Sequence, residues 1–233
     1  MKIAIMQPYL FPYVGYFQLL TQVDKFVLFD DVSYIKKGWI NRNRILVNSN
    51  PQFITIPCNK ISQNKLIKDI ITINDKLPYT KLLKTIEHAY NKAPFFSQVM
   101  PIIEAVFSKH GISIAEMAAT SINLVLDYLG MNKKILFSSK LNYNKDFEGL
   151  AKILAICKIL NADTYINMES GRLLYNVEAF QNENISLKFL KPLMLEYKQF
   201  NEQFISGLSI VDVLMFNNKN AVVSMLYRSL ISD

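Results

Sequence analysis

Asp30 and Asp31 are the only adjacent carboxylates in this 233-residue chain, and they close a short apolar run, Lys25-Phe26-Val27-Leu28-Phe29. A carboxylate at a strand end can serve as a general base, or hold a substrate amine or a magnesium ion. Side chains alternate along an extended segment, so one of the two is expected to face a cleft while the other serves a turn or meets solvent. The plainer alternative is a solvated turn that caps the next segment. Next comes Lys36-Lys37-Gly38-Trp39-Ile40-Asn41-Arg42-Asn43-Arg44. Lys36, Lys37 and Arg42 suit phosphate oxygens, Tyr34 and Trp39 offer flat surfaces to a base or sugar, and Asn41 can orient polar groups. A charged run is often only a solvated face, but here the chain's single tryptophan sits between the cations. Basic residues interleaved with aromatics also describe nucleic-acid binders, and a nucleotide-sugar pyrophosphate is preferred to RNA as the ligand.

A third cluster precedes these two. Gln7, Pro8, Tyr9, Tyr13, Gly15 and Tyr16 lie between an apolar strand and a helical pattern. Pro8 and Pro12 bias the residues before them towards extended backbone. Gly15 near a helix start would let a phosphate or ring approach the backbone, where orphan amides favour anions. The alternative is a proline-rich turn whose tyrosines pad the core. His88, in a helical segment, is a reserve base, although a lone helical histidine is more often structural. His110 before Gly111 fits a helix C-terminus. Ser138 and Ser139 end a strand, but no base sits beside them in sequence, so nucleophilic catalysis is unsupported.

Strand patterns fall at 3–6, 25–29, 52–57, 69–73, 134–137, 164–167 and 186–190, and helical ones at 81–93, 97–110, 113–130 and 146–160, with another opening at Ser209. Ser113-Ile114-Ala115-Glu116 reads as a capping box. The alternation predicts an α/β fold with a mainly parallel central sheet, a Rossmann-like N-terminal half and a helical layer or insertion around 80–130. Long Gly/Ser/Pro linkers are absent, so residues 1–233 are expected to form one domain. Ligands of such sheets bind at the carboxyl ends of the strands, which is where all three clusters fall.

Half of the chain is apolar and its formal charge is +7, which favours an anionic partner. Two distant cysteines, Cys58 and Cys157, exclude a disulfide framework, and with two histidines they make a zinc site improbable; no metal is assigned. No charged segment leading into an apolar one opens the chain and no uncharged run reaches the roughly 18 residues of a membrane span, so a cytoplasmic location is expected.

Taken together, these stretches resemble the WbqC-like family of bacterial proteins. The resemblance rests on Met6-Gln7-Pro8-Tyr9, Phe11-Pro12-Tyr13, Gly15-Tyr16-Phe17, Asp30-Asp31-Val32 and Lys36 to Asn43. It continues through Ser138-Ser139, Leu160-Asn161-Ala162-Asp163-Thr164-Tyr165-Ile166, Tyr197-Lys198-Gln199 and Leu208-Ser209-Ile210-Val211-Asp212. It implies a role in O-antigen or other surface (lipo)polysaccharide biosynthesis, where some members transfer glycine or another amino acid to an amino sugar. The layout also resembles, more distantly, nucleotidylyltransferases, with Tyr13-Val14-Gly15-Tyr16 where those carry His-x-Gly-His; loss of both histidines argues against that chemistry.

The expected activity is therefore acyl or aminoacyl transfer to a nucleotide-linked amino sugar, with Asp30, Asp31 or His88 taking the proton. The activated donor is open between ATP with magnesium, an acyl thioester and aminoacyl-tRNA, and a homodimer is compatible with the chain. The alternative is a non-catalytic nucleotide-sugar-binding or scaffold subunit of a polysaccharide assembly complex.

Overall fold

The computed structural model describes residues 1–200 and 202–233. Strand β1 (Lys2–Met6) lies between β2 (Lys25–Leu28) and β6 (Thr164–Met168). Outside them run β5 (Lys134–Phe137) on one side and β7 (Ser186–Pro192), then β8 (Ser229–Ser232), on the other. Within this six-stranded sheet all pairings are parallel except β7 with β8. The fold is α/β around a mostly parallel sheet.

Period-two alternation divides the strand side chains between two cores. Ile3, Ile5, Val27, Tyr165 and Phe189 enter one, while Ala4, Phe26, Leu28, Ile166 and Leu190 enter the other. The second core is the larger. It is covered by α1 (Val14–Thr21), α2 (Lys76–Tyr90), α3 (Phe96–Phe107), α4 (Ile114–Tyr128), α7 (Ile210–Phe216) and α8 (Lys219–Leu226). The first is covered by α5 (Gly149–Ile159) and α6 (Val177–Gln181). Neighbouring strands β2 and β5 thus send the chain to opposite faces, towards α2 and α5, and the loops at their carboxyl ends diverge. Such divergence opens a crevice.

Several boundaries differ from the sequence pattern for local reasons. Helix α2 begins at Lys76, not 81, because Asp75 caps it by accepting from the Leu77 amide at 2.9 Å. Pro78 then falls in the first turn, where no N–H is needed. The expected strand at 69–73 is a 3-10 turn (Ile67–Asp69) followed by isolated bridges from Ile71 to Ser113 and Thr72 to Cys58. Its alternation arises from contact with two different segments, so no ladder forms. The capping box at Ser113 and Glu116 is present with both hydrogen bonds.

The basic stretch conceals a strand. β3 (Arg42–Val47) pairs antiparallel with β4 (Asn50–Thr55) in a hairpin set apart from the main sheet. Asn48 and Ser49 both have positive φ, 49° and 65°, as a tight hairpin turn with matching twist demands. Asn43, Ile45 and Ile54 are buried, while Arg42, Arg44 and Phe53 lie on the outward face. Among the described residues no helix is long and apolar enough to cross a membrane.

Candidate functional site

The crevice between the β2 and β5 loops is a cleft of about 590 Å³, lined by Asp31, Val32, Ser33, Leu66, Lys68, Ser139 and residues 145–149 with Lys152. One wall is double. The backbone from Asp30 to Tyr34 runs against residues 65–68, with Tyr34 N donating to Lys65 O, Ile67 N to Val32 O and Lys68 N to Asp30 O, each at 2.9 Å. A second cavity of about 430 Å³ shares Lys68 and Ser139 with the first, and adds Asp30, Ile71, Phe137, Lys140 and Glu116. Ser139 therefore stands where the two meet.

Asp30 and Asp31 are 2% and 4% exposed. Asp30 accepts from Ser139 N at 2.9 Å, from Ser139 Oγ at 2.6 Å and from Ser138 Oγ at 3.0 Å. Ser138 Oγ itself accepts from the Asp30 amide and also contacts Asp31. Its single hydroxyl proton is shared between two carboxylates. Asp31 further accepts from Tyr143 Oη and lies 3.3 Å from the Lys145 ammonium. Burial alone would push its carboxyl up. Hydrogen bonds from Ser138 and Tyr143, with the charges of Lys152 and Lys145, outweigh this and hold it below the usual carboxylate range. A carboxylate so held is a weak base.

The cations of the cleft differ in what they have left to offer. Lys145 Nζ donates to Ser138 O and Leu141 O at 2.8 Å and faces Asp31, which uses its three protons. Lys152 Nζ donates to Asp31 O at 2.9 Å and keeps two. Between them opens the N-terminus of α5, whose N-cap residue Glu148 makes no side-chain cap. Gly149, its first residue, lines the cleft at φ +49°, with nothing within 4 Å of a Cβ built there. Uncapped amides flanked by Lys68 and Lys152 suit a phosphate group.

The model of the WbqC-like protein family matches residues 7–224. The chain belongs to the WbqC-like family. This WbqC-like protein is also similar to the uncharacterized protein Rv1507c of Mycobacterium tuberculosis, with 26% identity over 220 residues, 93% of each chain. No solved structure matches it.

The structure brings only part of the expected site to the cleft. Asp31 and Ser139 line it, with Asp30 and Ser138 directly behind. Gln7, Pro8, Tyr9, Tyr13, Gly15, Tyr16, Tyr34, Lys36, Lys37, Trp39, Asn41, Arg42 and His88 do not line it. Pro8 and Tyr16 are buried, and Tyr16 Oη donates to Gln7 O at 3.0 Å. Burial raises the Tyr9 hydroxyl, pushes Tyr13 up to about 12 and takes Tyr16 well above its usual value, so all three are neutral at ordinary pH. The space beside Gly15 belongs to the protein itself: a Cβ there would meet the Tyr13 ring at 2.4 Å and Pro192 at 2.9 Å. Tyr34 Oη donates to Asn41 Oδ1 at 2.7 Å, and Asn41 Nδ2 to Ile56 O at 2.8 Å, so this pair braces the hairpin. His88 is exposed on α2 in another groove, with Asn48, Asn91 and Phe200.

Sequence reasoning missed Lys68, Tyr143, Lys145 and Lys152. Lys152 carried a readable signal: it interrupts the buried face of an amphipathic helix, and a lysine there needs a partner. A second family motif assembles elsewhere. Asp212 is fully buried and accepts from Tyr90 at 2.7 Å, Tyr197 at 2.6 Å and Gln199 at 2.8 Å. Burial pushes its carboxyl up. Among the described residues no cluster of three or more His, Cys, Asp or Glu is placed to hold a metal ion.

Proposed function

We propose that this WbqC-like protein transfers an acyl or aminoacyl group to the amine of a nucleotide-linked amino sugar, a step in building surface polysaccharide. The observation that carries the reading is the partly exposed Ser139 hydroxyl, 2.6 Å from the buried Asp30 carboxylate, at the meeting point of two cavities. Lys68, Lys152 and the α5 amides hold the phosphates in the larger cavity, and the amino sugar reaches Ser139. As the amine nitrogen attacks the activated carbonyl carbon, the N–C bond forms and the carbon–leaving-group bond breaks. The nitrogen's surplus proton passes to Ser139 Oγ, whose own proton moves to Asp30; it then returns to the leaving group. Relay through a positioned hydroxyl needs no histidine. Asp31 acts by position: as a fixed carboxylate it anchors Ser138, Tyr143 and Lys145 around the cleft.

A binding subunit without catalysis remains the second reading, favoured by one observation: hydrogen bonds from Ser138 and Ser139 occupy both oxygens of Asp30, and those from Ser138 and Tyr143 both oxygens of Asp31. Incubating the purified chain with amino-sugar nucleotides and activated acyl donors, and following mass, separates the two. A product heavier by the acyl group, lost in Ser139→Ala, supports transfer. Tight nucleotide-sugar binding with no product from any donor class supports the binding subunit and overturns transfer.

A further inference from the structure

From Val32 to Lys68 the chain carries seven Lys and Arg and no Asp or Glu. The remaining 19 cations are matched by the 19 acidic residues elsewhere, so this one segment accounts for the entire +7. It is also a spatial unit: the β3–β4 hairpin with its two flanking loops, which pair through Ser33 and Leu66. At one end Val32, Ser33, Leu66 and Lys68 form a wall of the cleft. At the other, Trp39 is 38% and Phe53 49% exposed, their ring centroids 5.8 Å apart. Guanidinium groups lie against both, Arg42 at 4.1 Å from the Phe53 centroid and Arg44 at 5.5 Å from that of Trp39. Arg42 is fixed there by the Gly38 and Lys37 carbonyls, and Lys36 and Lys37 are exposed beside it.

We infer that this segment is a single-stranded RNA-binding surface that delivers the acyl donor to the cleft, the donor being an aminoacyl ester at the RNA 3′ end. This rests on the transferase reading of the cleft. Exposed rings carrying guanidinium groups, within a carboxylate-free basic stretch, suit stacked bases with phosphates alongside. A sugar nucleotide alone would need the cleft lysines but not a charged surface running away from them. The ester also supplies the activation. The amine nitrogen forms its bond to the carbonyl carbon, the carbon–oxygen bond to the ribose breaks, and that oxygen leaves as a hydroxyl with the proton relayed by Ser139. No nucleotide is hydrolysed.

The test uses the full chain and a fluorescein-labelled single-stranded RNA of about 12 nucleotides, within the usual footprint of such surfaces. Anisotropy is read at several salt concentrations, alongside transfer from an aminoacylated RNA. Trp39→Ala should weaken RNA binding by roughly tenfold, since stacking on one ring is lost. Lys36→Glu with Lys37→Glu should weaken it further and flatten the salt dependence, while Lys84→Glu, exposed on α2, should change little. Equal losses in the Lys84 variant, or a Trp39→Ala effect on nucleotide-sugar binding but none on RNA, would overturn the surface. Transfer from a thioester or from ATP and glycine, without RNA binding, would overturn it while leaving the transferase reading intact. RNA binding with no transfer from any donor would overturn the delivery role together with that reading.

Discussion

Replacing Asp31 with Asn tests whether the cleft is built on a buried ionised carboxylate. The change preserves size but removes charge and turns one oxygen into an N–H donor. Two of the native partners, Tyr143 Oη and the Lys145 ammonium, donate to the same oxygen, and Ser138 meets the other. With its nitrogen towards Tyr143 and Lys145 the amide sets donor against donor; turned the other way, the Ser138 hydroxyl can accept from it only by giving its proton wholly to Asp30, and in either case the Lys145 ammonium loses its counter-charge. Hydrogen bonds to a charged group contribute about 1.5–3 kcal/mol each, and the amide keeps one acceptor, so the expected loss is about 2–4 kcal/mol at pH 7. The pH dependence has a definite sign. Because the folded carboxyl lies below its usual range, its stabilisation is fully present above the unfolded value of about 3.9 and is lost as pH falls through the lower folded value. Urea unfolding followed by circular dichroism should therefore show a constant gap between parent and Asp31→Asn at neutral pH that narrows in acid. Tyr143→Phe should show a smaller loss. A gap below about 0.5 kcal/mol at pH 7, the range of a surface change, or one that widens in acid, would refute the reasoning.

Three further expectations follow from particular contacts. Ser139→Ala should lower turnover roughly a hundredfold or more, the usual contribution of a positioned proton acceptor, with nucleotide-sugar affinity nearly unchanged; a rate within a few-fold of the parent would remove Ser139 from the relay. Gly15→Ala should destabilise the fold by about 1–3 kcal/mol despite the better helix propensity of alanine, because the methyl would overlap the Tyr13 ring and Pro192; a rise in thermal midpoint would contradict this. Burial pushes the Cys58 and Cys157 thiols up to about 12, so a disulfide exchange reagent at pH 8 should react slowly with the native chain and quickly after denaturation.

What the chain discloses in sequence depends on the range of the interactions involved. The parallel strands were legible because each is a short apolar run closed by polar residues, and the capping box because it is a four-residue device. Asp30-Asp31 and Ser138-Ser139 could each be singled out as strand-end residues. That Ser139 donates to Asp30 across 109 positions was not legible, because it depends on β2 and β5 being neighbours. The sheet order makes that so, although three helices and a hairpin separate the two strands in the chain. The same holds for Tyr197, Gln199 and Asp212, which lie in two separate sequence motifs and meet in one hydrogen-bonded knot.

The basic stretch shows the opposite failure, in which charge hid a strand. Arg42-Asn43-Arg44-Ile45 has the period of a half-buried strand, but strong cations on one face mask the alternation. Once the hairpin is seen, its two faces have different tasks. Asn43 reaches inward to the Leu10 and Phe11 carbonyls at 3.0 and 2.8 Å, holding Phe11 in a left-handed conformation at φ +40°. Ser121 and Ser209 grip the same residue from α4 and from the N-cap of α7, at 3.0 and 2.8 Å. A buried, non-glycine residue persists at positive φ only where its surroundings over-determine it. The Pro8–Pro12 loop is thus the rivet between the sheet and the hairpin. The outward face of the same hairpin carries Arg42, Arg44 and Phe53, with Arg44 also donating to Gly207 O at 3.0 Å, and under the RNA proposal the rigidity beneath them is what would hold the strand in a fixed position relative to Ser139.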